Sequence, residues 1–186
     1  MDNYTELFAK VKPHQKEEEL RILLEFLERF KIDNAVEIGT GVGGTAVMFK
    51  QKIPSLVSID ISHIDEASQK AKEYGFTYVV ADSKKQETKD SVLKLLGTEK
   101  IDFLFIDGSH TYEDVKKDYE LWSPNASVIG FHDIVWNCGK TGMSTATVWK
   151  YWNELREEHK PDNVREIICS ADGGLVEHSG IGVIWQ

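Results

Sequence analysis

Short apolar runs alternate with amphipathic segments along most of the chain, and this alternation restricts the fold more than any other feature. The segment 101–106 is apolar apart from Asp102, as expected of a central strand that is buried on both faces. The segment 17–30 instead carries leucines at helical spacing. Strands that alternate with helices predict an α/β fold with a doubly wound, mainly parallel sheet and helices on both faces.

We expect seven strands in this sheet, separated by helical or turn-forming segments. The strand segments are 35–38, 56–60, 76–80, 101–106, 127–131, 164–168 and 180–185. The helical segments are 17–30, 45–52, 63–74, 84–96, a stretch that begins at residue 112, and 145–159. The segment 136–142 is predicted to be a loop beside the end of the fifth strand, either a lid or a connection without function.

Composition and charge exclude several classes of function. The chain of 186 residues is 41% hydrophobic and 28% charged, which is typical of a globular domain. Its net charge of −9 opposes binding to nucleic acid or to an anionic membrane surface. No apolar run approaches the roughly 20 residues that span a bilayer, and the first 12 residues do not read as a signal peptide. We therefore expect a cytoplasmic protein that binds neither nucleic acid nor a membrane.

Five successive strands are expected to end at or near an acidic residue. These residues are Glu37, Asp60, Asp82, Asp107 and Asp133. In open α/β sheets, ligands bind beyond the carboxyl ends of the strands. Clustered carboxylates at that edge disfavour an anionic ligand, and they suit a cationic or hydroxyl-rich ligand or a metal ion.

A glycine-rich segment follows the first strand and contains the pattern Gly-x-Gly-x-x-Gly at Gly39, Gly41 and Gly44. Asp60 follows at the distance expected of an acid that binds a ribose. The pattern suits a dinucleotide such as NAD, whose pyrophosphate would lie on the helix N-terminus, or S-adenosylmethionine (SAM). SAM has no phosphate and carries a cationic sulfonium and amino group. Glu37 therefore favours SAM, because its carboxylate opposes a pyrophosphate and attracts the cationic methionine moiety.

Under the SAM interpretation, Asp60 accepts hydrogen bonds from the ribose hydroxyls, and Asp82 and Ser83 receive the adenine amino group. The predicted cofactor-binding residues are Glu37, Gly39, Thr40, Gly41, Gly43, Asp60, Ile61, Asp82, Ser83 and Asp107. A tight turn that binds no ligand is the structural alternative for the glycines.

Three segments resemble motifs of class I SAM-dependent methyltransferases. The segment 36–44, V-E-I-G-T-G-V-G-G, is similar to the first motif of that class. The segment 105–112, F-I-D-G-S-H-T-Y, resembles the I-D-G-x-H-x-Y signature of a small-molecule O-methyltransferase subgroup. The segment 130–133, G-F-H-D, is similar to the His-Asp pair that this subgroup has after its fifth strand. The resemblance covers about residues 20–185, which is nearly the whole chain.

The resemblance implies a Rossmann-like sheet of seven strands in the order 3-2-1-4-5-7-6, with the last strand antiparallel. It also implies that residues 1–186 form a single SAM-dependent methyltransferase domain, with an N-terminal helical segment at 1–32 and the Rossmann-like core at 33–186. The implied reaction moves a methyl group to a hydroxyl of a small molecule, of sugar or natural-product type. The expected partner is this small-molecule acceptor, and a homo-oligomer stays open.

A second group of polar residues lies at the ends of the fourth and fifth predicted strands. Adjacent strands are about 4.8 Å apart, so Asp107 and Asp133 can face one small volume and hold a divalent cation such as Mg²⁺ or Mn²⁺. His132 is a third candidate ligand, although neighbours along a strand are expected to point to opposite faces. Such a cation would lower the pKa of an acceptor hydroxyl.

His110, three residues after Asp107, is the candidate base. In catechol-type metal-dependent methyltransferases a lysine stands at the position that His110 resembles. That type also has an asparagine ligand where this chain has Ile134. We therefore expect catalytic roles for His110, Asp107 and Asp133. An Asx turn or a helix cap is the structural alternative for these residues.

Two other functions stay open. An NAD-dependent oxidoreductase would use the same glycine segment, but it would need room for a pyrophosphate beside Glu37. A non-catalytic SAM-fold module would bind the cofactor without transferring a methyl group. The identity of the acceptor and that of the metal do not follow from the residues.

Overall fold

A mostly parallel seven-stranded sheet organises the computed structural model, which describes residues 3–135, 146–169 and 179–186. The strands are β1 (Asn34–Ile38), β2 (Ser55–Asp60), β3 (Thr77–Val80), β4 (Ile101–Ile106), β5 (Ala126–Val135), β6 (Val164–Ile167) and β7 (Ser179–Trp185). Their order is β3-β2-β1-β4-β5-β7-β6. Strand β7 is antiparallel to both neighbours, so the predicted fold class and strand order are confirmed.

Seven α-helices accompany the strands within the described residues. They are α1 (Asn3–Val11), α2 (Glu17–Leu27), α3 (Gly44–Lys50), α4 (Asp65–Tyr74), α5 (Gln86–Leu96), α6 (Tyr112–Trp122) and α7 (Val148–Glu158). No helix among these described parts of the chain is long and apolar enough to cross a membrane. The predicted loop at 136–142 lies outside the described residues.

The fifth strand is longer than its apolar pattern predicts. It was expected at 127–131, but β5 continues to Val135. The extra residues pair with β7, from His132 opposite Ile181 to Val135 opposite Ser179, with a register shift between these pairs. The polar residues His132 and Asp133 therefore belong to a strand, which an apolar pattern alone does not indicate.

Strand β4 is buried on both faces, as predicted. Phe103 and Phe105 pack edge-on against Phe49 of α3, with ring centroids 5.4 and 5.1 Å apart. Leu104 and Ile106 belong to the cluster on the opposite face, together with residues of α6 and α7. The core thus consists of two apolar layers with the sheet between them, which holds the strand ends in fixed positions.

The link between α1 and α2 lies against the start of α3. A Cβ atom on Gly44 would be 2.7 Å from both Pro13 N and Val11 O, so only glycine permits this approach. Lys70 of α4 also donates a hydrogen bond to Val11 O, at 2.7 Å. These contacts bring His14 and Gln15 to the carboxyl edge of the sheet.

Candidate active site

A cavity of about 750 Å³ opens at the carboxyl ends of the parallel strands. The predicted cofactor residues line it, apart from Glu37 and Gly43. The predicted catalytic residues Asp107, His110 and Asp133 line the same cavity, as does His132. Further lining residues, for which the sequence predicted no role, include His14, Lys84, Asp114, Asp118 and Ala146. The cavity has a volume in the usual range for cofactor sites.

The glycine loop takes a backbone shape that favours glycine. Gly39 has φ +98°, and a Cβ atom there would be 2.1 Å from the Asp107 carbonyl oxygen. Gly41 also has positive φ, and a Cβ atom there would lie 3.7 Å from the His14 ring. Gly43 has φ +79° at the N-cap of α3 and faces Ala67 and Phe76 instead of the cavity. Gly39 and Gly41 therefore shape the cavity, whereas Gly43 shapes the helix start.

Glu37 lies beneath the glycine loop, where its side chain is 1% exposed. Ser58 Oγ donates a hydrogen bond to Glu37 Oε2, and Thr40 Oγ1 lies 2.6 Å from the same Ser58 oxygen. Burial, with smaller contributions from the charges of Asp107 and Asp60, raises the pKa of Glu37 to about 8 against the opposing effect of the Ser58 hydrogen bond. The sequence predicted an ionised Glu37 that faces the ligand, but this carboxyl group is buried and neutral at pH 7.

Asp60 lies at the end of β2 and supports the loop. Its two carboxylate oxygens accept hydrogen bonds from Gly41 N at 2.9 Å and from Ser62 N at 3.0 Å. The carboxylate lines the cavity, as required of a group that binds ribose hydroxyls. The next residue, Ile61, is 67% exposed at the cavity edge, although it is apolar.

Asp107 is held by two side chains from different parts of the chain. Gln15 Nε2 donates to Asp107 Oδ2 at 2.5 Å, and His132 Nδ1 lies 3.1 Å from Asp107 Oδ1. Gln15 is 4% exposed, and its Oε1 accepts a hydrogen bond from Thr45 at the start of α3. The sequence analysis missed Gln15, because no spacing or motif links it to a residue 92 positions away.

The side chains of Asp133 and His132 both lie beside Asp107, contrary to the expected alternation along the strand. Asp133 has φ +61°, and the register of β5 shifts between His132 and Val135. This left-handed backbone turns two successive side chains toward the same volume. Asp133 Oδ1 and Oδ2 lie 3.3 Å from His132 Nδ1 and 2.6 Å from His110 Nδ1, respectively.

The pKa values of His110 and His132 are both raised. The hydrogen bond to Asp133 raises the pKa of His110, although burial opposes this. Burial lowers the pKa of His132, but the charges of Asp107 and Asp133 and the Asp107 hydrogen bond raise it to about 9. His132 is therefore a cation between two carboxylates at neutral pH, and it offsets part of their repulsion.

The side chains of Asp107, His110 and Asp133 also fit a divalent cation as ligands. One ligand atom each from Asp107, His110 and Asp133 lies within 4.8 Å of the others. Carboxylate oxygens with an imidazole nitrogen suit Mn²⁺ or Fe²⁺. Across the ranges 3–135, 146–169 and 179–186 this group does not include His132, which instead bonds to the carboxylates.

The chain resembles several methyltransferases of solved structure in its fold. It is 15% identical to the O-methyltransferase TomG of Streptomyces achromogenes, solved with SAM, over 100% of this chain and 90% of that chain (TM-score 0.65). It is 16% identical to an O-methyltransferase of Bacillus cereus, solved with SAH, over 100% and 92% (TM-score 0.67). The mycinamycin-pathway methyltransferase MycE, solved with Mg, SAH and mycinamycin VI, is 14% identical over 100% and 53% (TM-score 0.66).

Two sequence comparisons complete these findings. A protein of Sinorhizobium fredii, y4gI, is 43% identical over 58 residues, which are 30% of this chain. The matched part is 6% of that protein's length. A family model described as a methyltransferase domain matches residues 36–134, which are more than half of the chain. This stretch runs from the glycine loop through Asp107 and His110 to Asp133, and the chain therefore belongs to the methyltransferase domain family.

Proposed function

We propose that this chain transfers the methyl group of SAM to a hydroxyl group of a small molecule. The observation that carries the proposal is one cavity that joins a glycine loop and ribose-binding acid to a histidine–aspartate pair. The O-methyltransferases of S. achromogenes and B. cereus, solved with SAM and SAH, support both the cofactor and the oxygen acceptor.

The chain's own residues supply a base and a fixed geometry. Asp133 binds the Nδ1 side of His110, which leaves Nε2 to take the proton of the acceptor hydroxyl. Gln15 and His132 hold Asp107 beside this pair. Much of the rate would come from alignment of the acceptor oxygen with the sulfonium methyl group.

A divalent cation is part of the same proposal. Asp107 and Asp133 would hold it, and it would lower the pKa of an acceptor hydroxyl while the His110 imidazole acts as the base. The structure of MycE with Mg supports this assistance. Rates measured in chelator and in added Mg²⁺ or Mn²⁺ separate the two cases, because a base that works alone keeps its activity in chelator.

The small-molecule acceptor is supported by the net charge of −9, which disfavours a nucleic acid. The single sheet of the described residues supports one domain over 1–186, with 1–32 as its helical segment and 33–186 as its core. The cytoplasmic location that the sequence predicts is also part of this proposal.

The first experiment is a calorimetric titration of the metal-stripped protein with S-adenosylhomocysteine (SAH), repeated with NAD. We expect micromolar binding of SAH and none of NAD. Asp60→Asn should weaken SAH binding at least tenfold, whereas Asp90→Asn, which removes an exposed acid outside the cavity, should leave it unchanged. Binding of NAD in place of SAH would overturn the proposal in favour of an oxidoreductase.

Turnover distinguishes an enzyme from a non-catalytic SAM-binding module. A screen of hydroxyl-bearing small molecules with SAM should yield a methylated product. His110→Gln and Asp133→Asn should reduce that rate at least 100-fold while SAH affinity changes little. SAH binding without turnover on any hydroxyl compound would favour the binding module.

A further inference from the structure

We propose that Asp118 of α6 reads the 6-amino group of the purine base and so selects adenine over a 6-keto purine. This inference rests on the proposed function, because it assumes an adenosine-containing cofactor. It assigns base selection to a helix that follows the fourth strand, instead of to Asp82 after the third strand. Ser83 acts as a positioning residue in this arrangement.

The layout of the cavity places the base near Asp118. The ribose-binding acid Asp60 ends β2, and the group that transfers methyl must lie toward Asp107 and Asp133, at the ends of β4 and β5. A nucleoside base projects from the ribose away from its 5′ substituent. The base therefore lies on the β3 side of Asp60, where Ser83 and Asp118 line the cavity.

Asp118 is a buried carboxylate with one protein partner. Its side chain is 2% exposed, and its Oδ1 accepts a hydrogen bond from Ser83 Oγ at 2.7 Å. Within 3–135, 146–169 and 179–186 no cation lies within 4.0 Å of it. Burial and the charges of Asp114 and Asp82 raise the pKa of Asp118 to about 6, although the Ser83 hydrogen bond and the Lys84 charge oppose the shift. A neutral donor from a ligand would supply a further partner.

The neighbouring acids already have partners. Asp114 accepts hydrogen bonds from Ser109 and Thr111 and pairs with Lys84 Nζ at 3.2 Å. Asp82 Oδ1 accepts from Lys84 N at 3.0 Å and lies 3.8 Å from Lys84 Nζ. Of Asp82, Asp114 and Asp118, Asp118 is thus the acid with the fewest hydrogen-bond donors around its carboxylate.

Ser83 is fixed from both sides by α6. Its hydroxyl donates to Asp118, and its carbonyl oxygen accepts a hydrogen bond from Trp122 Nε1 at 2.9 Å. Trp122 is fully buried, so this anchor is rigid. The pair therefore presents a carboxylate oxygen in a fixed position, as a site that discriminates between hydrogen-bonding patterns requires.

The two purines differ in the hydrogen bond that they offer. Adenine has an amino group at position 6, which donates to a carboxylate. Hypoxanthine has a keto oxygen there, and a carboxylate repels it. A buried acceptor left facing that oxygen would reduce affinity by about 10- to 100-fold. An amide at position 118 can donate to the keto oxygen, so Asp118→Asn should relax or reverse the preference.

The test is a calorimetric titration with SAH and with S-inosylhomocysteine, its 6-keto analogue. Wild type should prefer SAH by about 10- to 100-fold, and Asp118→Asn should reduce this ratio at least tenfold. Glu120→Gln removes an exposed carboxylate from the same helix and should keep the wild-type ratio. Thermal melts of all variants show whether each is folded.

Three results would count against the inference. An unchanged ratio in Asp118→Asn would overturn it, and a reduced ratio in Asp82→Asn would then assign the amino group to Asp82. Equal affinity of wild type for both ligands would overturn it while the proposed function stands. Failure of wild type to bind either ligand would overturn both. If Asp118→Asn does not fold, Ser83→Ala takes its place and should lower the ratio, because Asp118 loses its anchor.

Discussion

The buried Glu37 carboxyl group links the stability of the protein to pH. Its folded pKa of about 8 lies above the ordinary value of 4.5, chiefly because burial disfavours the charged form. Between these values the folded protein keeps a proton that the unfolded chain has released. The contribution of Glu37 to stability therefore falls as pH rises from about 4.5 to 8, by roughly 1.4 kcal/mol per pH unit.

Glu37→Gln removes this titration and keeps the shape of the side chain. We expect its free energy of unfolding, relative to wild type, to be higher at pH 8 than at pH 5 by on the order of a few kcal/mol. Urea unfolding at both pH values measures the difference. Glu25→Gln, an exposed change on α2, should show no such trend. A constant difference for Glu37→Gln would show that the group is ionised in the folded protein at both pH values.

At the scale of residues, the sequence predicts where acids meet better than it predicts their partners. Asp107 and Asp133 were expected together because adjacent parallel strands end side by side. The hydrogen bond between Gln15 and Asp107 and that between Ser83 and Asp118 join residues far apart in the chain. Only the folded structure brings these pairs together, so no local sequence pattern predicts them.

The glycine loop and the end of α5 offer a matched pair of positive-φ glycines. Gly39→Ala would suffer both the left-handed backbone and a contact of 2.1 Å with the Asp107 carbonyl oxygen. Gly97→Ala suffers only the backbone strain, because nothing lies within 4 Å of its Cβ position. We expect Gly97→Ala to cost about 1–2 kcal/mol and Gly39→Ala to cost clearly more and to abolish SAH binding.

Urea unfolding and SAH titration of both variants check this prediction. If Gly39→Ala binds SAH as wild type does, the loop can move away from β4, and the rigid contact described above is not needed. If both variants lose the same stability, backbone conformation alone explains the two glycines.

At the scale of elements, periodicity predicts every strand but not how each strand ends. Apolar runs identify the central strands because strands buried on both faces must be apolar, whereas the edge strands β3 and β6 are partly exposed. The run that ends at Phe131 does not show that β5 continues with polar residues to Val135. The pairing with β7 determines that extension, and β7 lies almost 50 residues later in the chain.

At the scale of the whole molecule, both the stability of the core and the geometry of the site depend on the residues before position 17. Tyr4, Leu7, Phe8 and Val11 belong to or pack against one apolar layer of the core, and Gln15 holds Asp107. A chain that begins at residue 17 should therefore melt at a lower temperature and bind SAH at least tenfold more weakly.

Lys10→Ala provides the control within the same segment, because Lys10 makes only exposed contacts with Glu73 and the Tyr74 ring. Its effect should be within about 0.5–1 kcal/mol. Wild-type affinity in the shortened chain would show that the core at 33–186, with α2, forms the site without α1 and its link. The sequence predicted a helical segment here, but it gave no sign that the segment reaches the site.

The left-handed backbone at Asp133 also limits which residues evolution can place at that position. Among natural side chains, glycine, asparagine and aspartate tolerate such a backbone best, and β-branched residues tolerate it least. Mutation can thus sample few alternatives here before the fold itself resists. A library that randomises this codon should recover mainly those three residues among folded clones. A different side-chain chemistry at this strand end would first require a change in the register shift between His132 and Val135. Few neutral substitutions can therefore lead to such a change.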